Sequence, residues 1–322
     1  MIAPALTSYH APAWLPGGHA QTLWPLLRKP RPLPLRRERW ETPDDDFIDV
    51  DFVDAADTAP TLVLFHGLEG SSRSHYAIST ALACRAVGWR CVLPHFRGCS
   101  GELNRQPRAY HSGDSAEIDW ILRRVQGQYG GRVHAAGVSL GGNALLKWAG
   151  EQGAAAVAVV TGVAAFCPPL DLAACGHHLA QGFNRIYTAH FLATLKRVSA
   201  ERLRRFPGLF DETRMRRART LWEFDDAVTG PVHGFAGADD YWQRSSAKAY
   251  LQSIALPALV VNPRNDPFLP APYLPSSAEA APCVRLEQPA GGGHVGFVNG
   301  GFPGRLDWLA QRLLHFFLFE TP

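Results

Sequence analysis

From residue 60 onward, short apolar runs of strand length alternate with stretches of helical spacing, and this rhythm restricts the chain more than any other feature. Residues 61–65, 89–93, 132–138, 156–166, 258–262 and 284–287 read as strands. Residues 75–87, 114–125 and 144–150 have helical spacing, and 305–319 form an apolar closing helix. Strands separated by helices need right-handed crossovers, which place them in a largely parallel sheet covered on both faces. The predicted class is α/β.

Two segments depart from that rhythm. Residues 28–39 hold six basic residues against one Glu, and 41–57 hold eight acidic residues and no basic one. Residues 35–42 and 47–53 alternate apolar and polar positions around Pro43-Asp44-Asp45-Asp46, which predicts an antiparallel hairpin with opposite charges facing across it. Its plain reading is a solvated edge hairpin. Residues 171–245 are rich in Arg and aromatics and carry no buried-strand pattern; 185–219 hold ten basic residues against three acidic. They are expected to form a helical insertion over the sheet. The expected division is an N-terminal wrapping segment and edge hairpin (1–58), a core (59–170 and 246–322) and a helical cap (171–245).

Composition removes several function classes. A formal charge of +3 over 322 residues lacks the basic bias of a nucleic-acid binder. The 46% apolar content excludes disorder. The six Cys form no CxxC pair and no zinc spacing, so they read as free thiols of a reducing compartment. No basic-then-apolar leader opens the chain, and the longest nearly apolar run, residues 154–166, is too short to span a bilayer. A cytoplasmic protein without a transmembrane segment is expected. The Arg-rich part of the cap leaves peripheral contact with an anionic membrane surface open, although a solvated helix face is the plainer reading.

Gly137-Val138-Ser139-Leu140-Gly141 lies where a strand ends and a helix begins. Small residues on either side of Ser139 would let strand and helix approach closely, exposing a strained serine as a nucleophile. Such a serine needs a base, and the base needs an orienting acid. His294, in the glycine-rich loop Gly291-Gly-Gly-His-Val-Gly296 before the last helix, is the expected base, with His233 its one rival. His315 reads as a packing residue of the closing helix. Asp266, just beyond the penultimate strand, is the expected acid. An oxyanion hole needs two backbone N–H donors, for which Leu140 and Leu68 are the candidates. Asp in place of Ser at position 139 would have pointed to a dehalogenase or epoxide hydrolase. This chemistry requires no metal and no organic cofactor.

His66-Gly-Leu-Glu-Gly-Ser-Ser72, His95-Phe-Arg-Gly-Cys-Ser-Gly101 and Gly137-Val-Ser-Leu-Gly-Gly-Asn143 resemble the YheT-like branch of the α/β-hydrolases. Asn265-Asp-Pro-Phe268 and Gly292-Gly-His-Val-Gly-Phe297 are similar to its acid and histidine loops, and Trp14-Leu-Pro-Gly-Gly-His-Ala-Gln-Thr-Leu23 to its marking N-terminal segment. The likeness runs from about residue 10 to 318. It implies an α/β-hydrolase fold with a helical cap and a serine esterase acting on a small-molecule carboxylic ester, with Ser139, Asp266 and His294 as nucleophile, acid and base. A thioesterase, a lipase or a peptidase on the same three residues is the alternative. Acyltransferase-like relatives carry an acid five residues after a histidine; here that position is Asn299. Gly18, His19, Gln21 and Thr22 have no role in such a triad, and their plain reading is a segment wrapping the core. Oligomeric state, acyl length and alcohol are not encoded in these motifs.

Overall fold

A hairpin and six parallel strands make one sheet. In the computed structural model, which describes residues 8–28 and 30–321, β1 (Arg36–Glu41) and β2 (Phe47–Val53) pair antiparallel. β3 (Thr61–Phe65), β4 (Arg90–Pro94), β5 (Val133–Val138), β6 (Val163–Phe166), β7 (Ala258–Val261) and β8 (Val284–Glu287) follow. The strand order is β1-β2-β4-β3-β5-β6-β7-β8, with β2 antiparallel to β4 and every later pairing parallel. The order reverses at β3, so the loops after β3 and β5 open beside each other at the carboxyl edge.

The period of two along each strand divides the core. Leu62 and Leu64 of β3 join a cluster with Tyr76, Ala77, Ala81 and Cys84 of α2 (His75–Ala86) and with Leu313, Leu314 and Phe317 of α11 (Trp308–Phe319). Val63 and Phe65 face the other way, onto Ile118, Ile121 and Leu122 of α3 (Ser115–Tyr129) and Leu145 and Trp148 of α4 (Leu140–Gln152). A sheet covered on both faces has no polar side, which is why its strands read as continuous apolar runs.

Two expectations fail in instructive ways. Residues 156–166 were expected to form one long strand; the strand is only Val163–Phe166, and a 3-10 turn occupies Gly153–Ala158. Ala156, Val159 and Val160 are buried and Val157 is exposed, so the apolar run records a partly buried connection before the strand begins. Of the two hairpin strands, only β1 is solvated. Its register sets Arg37 opposite Asp51 and Arg39 opposite Asp49, ion-paired at 2.6 and 2.8 Å. β2 is buried along its whole length, because β4 and the loop after it cover its second edge.

Inside that loop, Arg97 donates to Asp44 and Asp46 at 2.8 Å and to Glu117 at 2.6 Å, tying the hairpin turn to α3. Arg97 is itself buried. An uncompensated buried carboxylate is far costlier than a paired one, so Arg97→Met should lower the urea unfolding free energy by about 3–5 kcal/mol. A loss below about 1 kcal/mol would show that these carboxylates are solvated.

Between β6 and β7 the regular elements among the described residues are all helical, among them α5 (Leu172–Leu179), α6 (Arg185–Arg205), α7 (Glu212–Arg217), α8 (Leu221–Phe224), α9 (Gly230–His233) and α10 (Ala238–Ser245). Leu192, Phe210, Met215, Phe224 and Val228 give them an apolar cluster of their own. At the amino end, α1 (Gly18–Leu27) packs against the histidine loop. No described helix is long and apolar enough to cross a membrane.

Candidate active site

Ser139 stands between β5 and α4 with φ 53° and ψ −122°, a conformation side chains rarely adopt. The two flanking glycines explain why it can. A Cβ on Gly137 would lie 2.4 Å from the Gly141 carbonyl oxygen, and one on Gly141 would lie 2.5 Å from that of His66. Only bare backbone lets strand, turn and helix approach so closely.

His294 is brought to the serine from 155 residues away; its Nε2 lies 3.0 Å from Ser139 Oγ. Its Nδ1 lies 2.9 Å from Asp266 Oδ2, and the other carboxylate oxygen accepts the Phe268 N–H at 2.8 Å. Because a carboxylate accepts, Nδ1 carries the proton and Nε2 is left to accept from the serine hydroxyl. Phe268 stacks face to face on the imidazole, ring centres 3.8 Å apart. The order of motifs could not reveal that stacking, although Phe268 is only two residues beyond the acid.

The loop bearing His294 is held from outside. Gly292, Gly293, Val295 and Phe297 all have positive φ. The Gly292 N–H donates to Gln21 Oε1 at 2.7 Å, the Gly293 N–H to Asn265 Oδ1 at 3.0 Å, and the His294 N–H to Thr22 Oγ1 at 2.8 Å. Gln21 also accepts from Asn265 Nδ2 and donates to the Leu15 carbonyl. A Cβ on Gly18 would lie 1.9 Å from the Asn265 carbonyl oxygen. The N-terminal segment therefore does more than wrap the core: Gln21 and Thr22 set the height and tilt of the histidine loop. The cluster Gly18-His-Ala-Gln-Thr22 was the only signal of this in the sequence.

The loop after β3 shows a similar economy. His66 is buried and its pKa is pushed down to about 3 by loss of solvent. The neutral ring donates from Nδ1 to the Gly67 carbonyl and accepts the Phe96 N–H at Nε2. The Gly67 N–H is taken by Tyr76 Oη and the Glu69 N–H by Tyr110 Oη. Between them the Leu68 N–H meets no acceptor among the described residues, and neither does the Leu140 N–H at the first position of α4. Two free donors thus flank the serine. Sequence reading named Leu68 as a candidate donor and did not foresee the two tyrosines that leave its amide free.

Among the described residues, no other histidine is bonded to the Ser139 hydroxyl. His315 pairs with Glu320, His177 packs on Trp242, and His233 lies against His111 with ring centres 4.5 Å apart. Asn299 forms a backbone bridge with Arg305 and offers no acid. Among the described residues, Cys167, Asp266 and His294 are the one group whose donor atoms cluster, within 4.8 Å. Both ring nitrogens are engaged there, and burial pushes the Cys167 thiol well above its usual range, so the group makes a poor metal site.

A cavity between the sheet edge and the helices joining β6 to β7 contains Ser139, Leu68 and Leu140 in its wall, with Phe191, Phe224, Tyr241 and Trp242 from those helices. Of the other cap aromatics, Phe183 is exposed and Phe210 packs inside the cap.

A family profile described as "alpha/beta hydrolase fold" matches residues 60–301. The chain is 37% identical over 305 residues to YheT of Escherichia coli strain K12, a candidate esterase by its name, covering 92% of this chain and 88% of that one. It is 30% identical over 326 residues to phospholipase ABHD3 of Mus musculus, covering 97% and 79%. The Pyrococcus furiosus esterase Pf2001 superposes with a TM-score of 0.57 over 91% of this chain and 97% of that one, at 14% identity, a likeness of fold.

The loop geometry yields a prediction. Gln21→Ala removes the acceptor of a buried N–H, which should cost about 1–3 kcal/mol of unfolding free energy. By slackening the His294 loop it should also lower kcat on an ester by roughly tenfold or more, with a much smaller change in KM. Unchanged stability and kcat would reduce the N-terminal contact to mere proximity.

Proposed function

The chain belongs to the α/β-hydrolase family, in the branch that includes YheT, and from that membership we propose that it cleaves carboxylic esters through an acyl-enzyme formed on Ser139. It is an esterase-type hydrolase, and the reading adds the residues and the route. The observation that carries it is the His294 imidazole, 3.0 Å from Ser139 Oγ on one side and 2.9 Å from Asp266 on the other.

As the hydroxyl adds to the ester carbonyl, its proton passes to Nε2. Charge then develops on the carbonyl oxygen, where the Leu68 and Leu140 amides are free to donate. The tetrahedral adduct collapses as His294 protonates the departing alcohol, leaving the acyl group on Ser139. Water, deprotonated by the same nitrogen, adds to the acyl-enzyme and releases the acid with the serine restored. Asp266 holds the ring in the one tautomer that accepts at Nε2. The apolar wall contributed by the cap, residues 171–245, fits an acyl chain, so this segment is read as a lid.

A chain-length series of p-nitrophenyl esters tests both parts. Ser139→Ala should abolish measurable turnover without changing the fold; full activity in that variant would sink the reading. Each methylene buried is worth about 0.8 kcal/mol, roughly fourfold in kcat/KM, so the profile should climb and then stop. Leu195→Trp, which fills part of the cavity wall, should move that stop to shorter chains and spare acetate. A profile that does not move would make the cap structural.

A further inference from the structure

Four arginines are buried among the described residues, and three of them are answered. Arg97 meets three carboxylates, Arg312 is paired with Glu287 and Glu320, and Arg90 donates to Thr61 and to the carbonyls of Ala55 and Ala56. Arg202, on α6, is 4% exposed and differs from all of them. No described carboxylate pairs with its guanidinium, no hydrogen bond reaches that group, and its Nε is buried without a partner. It belongs to the Arg-rich stretch that the sequence alone reads as a solvated face.

The side chain lines the cavity that Ser139 also lines. Burying a guanidinium without a carboxylate partner is unfavourable, and here burial pulls its pKa down. Glu69, on the same wall, cannot answer it fully. Its carboxyl already accepts from Tyr110 Oη at 2.8 Å, and burial pushes its pKa up. A second polar atom of the wall, His233 Nε2, is likewise buried and unpartnered, on a ring whose pKa is pushed down to about 3. The surrounding wall is apolar, with Leu68, Leu195, Val198, Val228 and Val232. A cation and a neutral imidazole left open within a greasy cavity match an amphiphile with an anionic group.

We propose that Arg202 is a recognition site for an anionic group, a carboxylate or a phosphate, carried by the ester that occupies this cavity. The proposal rests on the ester-hydrolase reading and narrows its substrate class to charged amphiphiles. His233 Nε2 is the neutral partner available to the same group.

Calorimetric titration with octanoate, octyl phosphate and octanol tests it on the wild-type protein, on Arg202→Met and on Arg202→Lys. At least one anion should bind the wild type about tenfold or more tightly than octanol, and should compete with p-nitrophenyl butyrate. A gain confined to octanoate identifies a carboxylate, and one confined to octyl phosphate a phosphate. Arg202→Met should bring the anion and octanol within about threefold of each other, while Arg202→Lys keeps part of the preference. Octanol binding the wild type as tightly as both anions would overturn the proposal without recourse to a variant, as would an absence of binding by either anion. A preference that survives in Arg202→Met would overturn it too. Failure of the wild type to hydrolyse any p-nitrophenyl ester would instead strike the hydrolase reading, since the titration reads binding alone.

Discussion

The loop that carries His294 cannot hold its own shape, and much of the site follows from what holds it. Four of its residues lie at positive φ, two of them the bulky Val295 and Phe297. Such a backbone persists only where its surroundings determine it. Here the determinants come from distant parts of the chain: Gln21 and Thr22 of α1, Asn265 beside the acid, and the Cys167 sulfur, which accepts the Val295 N–H at 3.2 Å. Because Asn265 and Asp266 are neighbours, the contact that supports the loop also places the carboxylate. The position of the imidazole therefore depends on residues that never touch the reacting atoms.

The same logic governs the opposite wall. Ser139 is held in a strained turn by a close approach that only glycine allows, and Leu68 is left free because Tyr76 and Tyr110 take the amides on either side of it. On the proposed reading, donors held free in this way need no rearrangement as charge develops. The sheet supplies the rigidity: the Ser139 turn springs from β5 and the Leu68 loop from β3, its adjacent central strands. The cap is different in character, with its own small apolar cluster and one buried cation that the protein itself does not neutralise.

Much of this was legible in the sequence, and the rest was hidden for physical reasons. Ser139, Asp266 and His294, which the structure brings together, could be read because each lies in a segment following a strand and marked by glycine or proline, in an order the fold imposes. The hairpin register could be read from its charge pattern. By contrast, residues 156–162 misled because Ala156, Val159 and Val160 are buried in a connection and not in a strand, and Val157 is apolar although exposed. Gln21 and Tyr110 were not legible since side-chain hydrogen bonds over 271 and 41 residues leave no periodic trace. Arg202 was hidden inside a basic run: one turn of α6 decides which arginine faces inward, and Arg204 and Arg205 beside it are exposed.

The central claim is that a serine held at positive φ is made nucleophilic by an imidazole that the N-terminal segment positions. Phosphonylation by a fluorophosphonate probe measures that reactivity without reference to any substrate. Peptide mapping should find a single adduct, on Ser139, formed at least about tenfold more slowly in a folded Thr22→Val variant, which loses the acceptor of the His294 N–H. An adduct on another serine, or none at all on the folded wild type, would contradict the account.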